Sequence, residues 1–313
     1  MKRFWLFSIL SCFIAILIAS CNFNSPLQAA GDIVVASKDF TEQDILGELL
    51  AQQIEDTTDL KVIRRPRLGG TFVCHNAILA GQIDAYLEYT GTAFTGILQK
   101  ETINDPDVVH AKLKQAYAEK FNLEVMPNLG FENTFAMIIR GADAKRYNIQ
   151  TLSDAANYTP QWRGGFGYEF LERQDGFPGL AETYNLRFAR PPKIMDLGLI
   201  YRALIQKQVD MIAGNSTDGQ ISRLGLVVLD DDKQYFPPYE AAPIVRKETL
   251  AKYPQLRTAI NQLSGKITAD EMRQLNNLVE GELRDIKTVV REFRKSQGLL
   301  KINASGITNH RGR

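Results

Sequence analysis

The chain has 313 residues, enough for one large or two modest domains, and its 44% hydrophobic and 23% charged residues are those of an ordinary globular body. Lys and Arg number 37 against 36 Asp and Glu, so no basic excess exists to recruit a nucleic-acid backbone. Three Cys and three His argue against both a disulfide framework and a zinc site, and no internal stretch is apolar enough to span a membrane.

Met1-Lys2-Arg3 gives a short cationic start, and Phe4 to Ser20 carries no charge before Asn22, Asn24, Ser25 and Pro26 stop the run. That is the pattern of a secretory signal. Ile18-Ala19-Ser20-Cys21 resembles a bacterial lipobox, so a lipoprotein signal peptide is expected over 1–20, lipidation at Cys21 and a linker over 21–30. The alternatives are cleavage near Ala29-Ala30, where Gln28 spoils the small-x-small pattern, and an uncleaved anchor. Each places the body outside the cytoplasmic membrane. Loss of 1–20 removes Lys2, Arg3 and Cys12, moves the net charge from +1 to −1, and leaves Cys74 as the cysteine of the folded body.

From Ile33 onward the periodicity alternates between 2 and 3.6 residues. Ile33 to Ala36 predicts a buried strand; Thr41 is placed to cap a helix carrying Ile45, Leu46, Leu49, Leu50 and Ile54 on one face. Lys61 to Ile63 predicts a second strand, Gly69-Gly70 a turn into a helix from Thr71 to Ala80 that Gly81 ends, and Ile83 to Leu87 a third strand. This rhythm implies an α/β fold with a parallel sheet. It returns as a strand-like Gly164 to Tyr168, an amphipathic helix Leu197 to Ile205, and a strand Val209 to Ala213. Residues 80–90 and 206–216 echo one another, which puts Tyr89 and Asn215 on comparable lips at the carboxyl ends of strands, where open α/β sheets bind ligands. Tyr235-Phe236-Pro237-Pro238-Tyr239 is a stiff segment suited to a crossover, Thr249 to Lys295 reads as a series of helices with Leu275, Leu278, Leu283 and Ile286 on apolar faces, and 301–313 as a polar tail.

The catalytic case is thin. Cys74 and His75 are adjacent on a helix and diverge by about 100°, Cys74 fits a core position, and His75 and His110 fit surface or capping roles. No nucleophile elbow, P-loop or metal-ligand helix is present, so no catalytic residue, metal or cofactor is expected.

Several stretches together resemble the substrate-binding proteins of osmoprotectant ABC importers, which take up glycine betaine, choline, carnitine and related quaternary ammonium compounds. They are Ser37-Lys38-Asp39-Phe40-Thr41-Glu42-Gln43, Leu68-Gly69-Gly70-Thr71, Glu88-Tyr89-Thr90-Gly91-Thr92, Glu169-Phe170-Leu171-Glu172-Arg173 with Asp175-Gly176, Ser216-Thr217-Asp218-Gly219, and Phe236-Pro237-Pro238-Tyr239 with Ala241-Ala242-Pro243. The resemblance implies a type II periplasmic-binding fold, with lobe 1 over 31–134 and 239–300 and lobe 2 over 135–238, closing by a hinge. It also implies aromatic walls for a cation that has no N–H to donate: Tyr89 and Tyr239, with Phe135 where relatives usually carry Tyr and Asn215 where the cage normally has another Tyr. Lys38, Thr92 and Arg173 match the donors for a ligand carboxylate, and Gln43 and Asn133 are further polar contacts. The partners implied are a permease with its ATPase, and the chain is expected to act as a lipid-anchored, extracytoplasmic monomer. Alternatives are a pocket rebuilt for a bulkier, ergothioneine-like betaine or another solute, a sensing domain, and an enzyme using His75, Glu88 or Glu169.

Overall fold

The computed structural model describes residues 32–300. The expected signal peptide, Cys21, the linker over 21–30 and the tail over 301–313 lie outside the described residues. Two five-stranded sheets organise the rest. The strands are β1 (Asp32–Ala36), β2 (Lys61–Arg65), β3 (Ala85–Tyr89), β4 (Leu123–Val125), β5 (Phe135–Arg140), β6 (Gly164–Phe166), β7 (Lys193–Ile194), β8 (Met211–Asn215), β9 (Leu226–Val228) and β10 (Ala241–Arg246). The first sheet runs β2-β1-β3-β10-β4 and the second β7-β6-β8-β5-β9.

The two orders are the same pattern written twice. β3 is parallel to β1 and antiparallel to β10; β8 is parallel to β6 and antiparallel to β5. The parallel sheets expected from the sequence therefore each hold an antiparallel strand, because the chain enters β5 and β10 on arriving from the other lobe. It passes between the sheets at 126–134 and 229–240, where Glu132 and Glu240 form an antiparallel bridge.

Alternation along β3 shows how the core is divided. Ala85, Leu87 and Tyr89 face one apolar cluster with Leu46, Leu50 and Met272, while Tyr86 faces another with Cys74, Val109 and Tyr117. Helix α1 (Thr41–Thr57) is buried from Thr41 to Ile54, because β1–β3 lie on one side and the C-terminal helices on the other. Thr41 opens α1 but does not cap it; Phe40 holds that position with no side-chain cap. Helix α2 (Thr71–Leu79) follows the Gly69-Gly70 turn. In the second lobe the short helix α3 (Tyr168–Glu172) leaves β6, and α4 (Leu197–Ile205) precedes β8. Helices α5 (Ala269–Asn276) and α6 (Ile286–Ser296) close the chain over α1.

Two further expectations change. Leu283 is 85% exposed at a positive φ of 55°, outside any apolar face, because the chain turns there between α5 and α6. His75 is buried between Tyr117 and Phe121, and burial lowers its pKa below the ordinary histidine value. Cys74 is buried as expected, with its thiol pushed up to about 12 by burial.

Candidate functional site

A cavity of about 650 Å³ opens between the lobes at the ends of β1, β3, β6 and β8. Of the residues singled out by sequence, Lys38, Tyr89, Thr92, Asn133, Phe135, Arg173, Asn215 and Tyr239 all line it. Gln43 does not; it is fully buried beside Tyr89.

The aromatic side is built from several elements. Tyr89 ends β3, and its ring stacks on Phe40 at 6.5 Å with 21° between planes. Phe135 begins β5 opposite Asn215 of β8 and meets the rings of Phe170 at 4.8 Å and Tyr239 at 5.8 Å. Both tyrosine hydroxyls point into the protein: Tyr89 donates to Glu42 Oε1 at 2.6 Å and Tyr239 to Asp175 Oδ2 at 2.6 Å. Burial raises the pKa of each well above the ordinary phenol value, and the neighbouring carboxylates add to it, so both remain neutral donors. Gly91 is required beside Tyr239, since a Cβ there would stand 2.6 Å from the Pro238 carbonyl oxygen and 2.7 Å from the tyrosine ring.

The cationic side is already partnered. Lys38 Nζ donates to Glu88 Oε1 at 2.5 Å and Thr71 Oγ1 at 3.3 Å, and sits 4.6 Å from the centroid of Tyr89. Arg173 is 4% exposed and forks onto both oxygens of Asp175, while its Nη2 also donates to Thr92 Oγ1 at 3.1 Å. Its Cζ lies 4.9 Å from the centroid of Phe135. Burial opposes ionisation of Asp175, but Arg173 and the Tyr239 hydroxyl outweigh it and hold that carboxyl below the usual range. The bidentate face of Arg173 is thus spent on its own lobe, leaving Nη1 as the donor without a protein partner among the described residues. Two rings expected to face a ligand cation, Tyr89 and Phe135, have a protein cation over them; Tyr239 has none among the described residues.

The lobes touch around the cavity. Thr71 N donates to Glu169 Oε1 at 2.5 Å, and Gly70 leaves room for that carboxylate, which a Cβ would approach to 2.1 Å. Burial raises the pKa of Glu169 against the pull of Lys38 and Arg173. Asn215 donates through its backbone to Asp218 Oδ2 at 2.9 Å and through its amide to Oδ1 at 3.3 Å.

The sequence did not single out Phe40 as a cavity-lining ring, nor Glu42 and Asp175 as the acids that hold the rings and cations, and it named Glu88 only for the enzyme alternative. Each lies within a stretch that carried the family resemblance, so its position was visible and its direction was not. The apolar mouth of Phe72, Val73, Ile194 and Leu197 carried no signal beyond helix and strand periodicity.

A family profile for the substrate binding domain of ABC-type glycine betaine transport systems matches residues 31–296. The chain is 36% identical over 291 residues to the carnitine transport binding protein OpuCC of Listeria monocytogenes, covering 92% of this chain and 94% of that one. It is also 36% identical over 293 residues to the ergothioneine transport permease/ergothioneine binding protein EgtU of Helicobacter pylori, covering 93% of this chain and 52% of that one. A solved structure of a glycine betaine/carnitine/choline ABC transporter superposes with a TM-score of 0.71 at 34% identity, over 86% of this chain and 99% of that one. These relatives are transport binding proteins, and the two sheets with a cleft between them are the two-lobed periplasmic-binding architecture expected from the sequence. With nearly all of the described body matched, the chain belongs to the family of substrate-binding domains of ABC-type glycine betaine transport systems.

Proposed function

We propose that this chain captures a betaine-type quaternary ammonium solute outside the cytoplasmic membrane and delivers it to an ABC permease whose ATPase drives uptake. One observation carries the reading: the interlobe cavity brings Tyr89, Phe135 and Tyr239 together with Lys38, Thr92 and Arg173, an aromatic surface beside cationic and hydroxyl donors. A trimethylammonium group gains roughly 0.5–2 kcal/mol from each aromatic face. Tyr239 is the wall best placed for it, because no protein cation competes for its ring. The carboxylate lies toward Lys38, Thr92 and Arg173 Nη1, with Asn133 lending a further polar edge. Gln43 acts from behind Tyr89. In this reading the hinge follows the two interlobe passages, with lobe 1 over 31–134 and 239–300 and lobe 2 over 135–238. Lipid attachment at Cys21 keeps the monomer at the membrane.

A second ligand is favoured by the shape of the cavity. Its volume of about 650 Å³ lies in the roughly 300–1,000 Å³ range that encloses drug-sized molecules, more than a trimethylammonium on a short acid arm fills. Asn215 leaves open the space a further ring would take, and Phe72, Val73 and Ile194 give the mouth an apolar lining. A bulkier betaine carrying a ring, as in ergothioneine, suits that shape.

Isothermal titration of the purified chain with glycine betaine, choline, carnitine and ergothioneine tests both. Heat with one of them, weakened in Tyr239→Ala, supports the receptor reading and ranks the ligands. Silence with all four refutes the ligand class.

A further inference from the structure

Glu42 is 2% exposed in the first turn of α1 and meets four donors from four separate segments. Its Oε1 accepts from the hydroxyl of Tyr89, at the end of β3, at 2.6 Å and from Asn133 Nδ2, in the first interlobe passage, at 2.9 Å. Its Oε2 accepts from Thr217 Oγ1 at 2.5 Å and from Asn276 Nδ2, at the end of α5, at 3.0 Å. Thr217 belongs to the second lobe, two residues beyond β8, and is completely buried. Asn276 Nδ2 also donates to the Thr217 carbonyl oxygen at 3.0 Å, so the threonine is gripped at both its hydroxyl and its backbone. No cation pairs with Glu42 among the described residues. Its charge is met by the four donors and by the N-terminus of the 17-residue helix it opens.

We propose that Glu42 is a positioning residue that couples the ligand-facing ring of Tyr89 to closure of the second lobe, orienting the tyrosine through one oxygen and latching Thr217 with the other. The two oxygens share one rigid plane. A carboxylate rotated to suit Tyr89 is already set to receive Thr217, and one holding Thr217 keeps the Tyr89 hydroxyl, hence its ring, in place. When the lobes part, Oε2 loses a charge-assisted donor and gains water instead, keeps only Asn276 as a protein partner, and the plane is held less firmly. Coupling of this kind is reciprocal: whatever holds the ring also favours closure. The latch differs from the contact of Glu169 with Thr71 in that its carboxylate also touches a wall of the cavity.

The inference rests on the cavity being the ligand site, but its first test needs no ligand. Hydrogen exchange on the ligand-free full chain is read over 214–219 in wild type, Thr217→Val, Thr217→Ser, Tyr89→Phe and the Thr217→Val/Tyr89→Phe double variant. The expected result is exchange at 214–219 faster by roughly tenfold or more in Thr217→Val, the scale of one hydrogen bond to a charged group, with near-wild-type behaviour in Thr217→Ser. Tyr89→Phe, a change in the other lobe, is expected to speed exchange over the same residues. The double variant should resemble the worse single variant rather than the product of the two. Unchanged exchange over 214–219 in Tyr89→Phe, or fully additive effects, overturns the coupling. Stopped-flow binding of a ligand identified by titration then separates the rates: dissociation is expected to rise in Thr217→Val with association unchanged, whereas an equal fall in association points to a merely structural role and overturns the latch. If no quaternary ammonium ligand binds, the ligand reading fails while the exchange result still decides the latch.

Discussion

β3 and β8 hold the same place in their sheets, third in order, parallel to one neighbour and antiparallel to the other, and both end at the cavity. Yet β3 ends in Tyr89, steadied by Glu42, and β8 ends in Asn215, steadied by Asp218. Each lobe therefore repeats a device, an acid behind the last residue of a central strand, while changing what that residue offers. Lobe 1 presents a ring with Lys38 over it. Lobe 2 presents an amide, and its cation, Arg173, comes from beyond α3 and stacks on Phe135 instead. A shared topology fixes where the cavity stands, and the residues at a few strand ends fix which groups face it.

The largest expected effect tests the cation of lobe 2. Arg173→Met leaves Asp175 buried without its partner, which costs about 3–5 kcal/mol and shows as a lower midpoint in urea unfolding. Adding Asp175→Asn should recover part of that loss; no recovery would mean that Arg173 stabilises through packing alone.

The acid behind the end of β8 carries a signature that pH exposes. Burial pushes Asp218 up to about 7, against the hydrogen bonds from Tyr201 and Asn215 that favour its charged form. The folded chain keeps this proton well above the pH at which the unfolded chain loses it. Its contribution to stability is therefore full below the ordinary value of 3.8 and is lost as pH rises toward 7. Asp218→Asn should remove a pH dependence on the order of 4 kcal/mol across that window, measured by thermal or urea unfolding at several pH values. Identical slopes in wild type and variant would count against a protonated Asp218.

Binding separates the walls. Tyr239→Ala is expected to weaken a bound betaine about tenfold, and Phe135→Ala less, since Arg173 already occupies the face of Phe135; the reverse ranking by titration would mean that the ligand displaces the arginine. The smallest effect is expected for Asn215→Tyr, which makes the β8 end resemble the β3 end. One more aromatic face should strengthen glycine betaine by roughly two- to fivefold and weaken any ligand that uses the open space.

Periodicity marked β1, α1, α2 and α4 closely, because burial of one face imposes a repeat that survives in the sequence whatever the partner. It placed β3 and β8 two residues early, because Ile83 and Val209 are apolar and buried yet belong to the turns that lead in. The resemblance supplied the walls and cations, and all but Gln43 line the cavity. What it missed were acids. Asp175 lies two residues from Arg173 and Glu88 one from Tyr89, but adjacency in sequence says nothing of which cation a carboxylate will face.

Composition and the alternating periods determined by themselves that the body is α/β, with sites at strand ends, since those patterns depend only on which residues must leave water. The tertiary structure alone decided that β5 and β10 run antiparallel, that Arg173 spends its fork on Asp175, and that Glu42 reaches Thr217 across 175 residues. Such pairings follow from where two distant segments come to rest, and a hydrogen bond between them leaves no periodic trace in either.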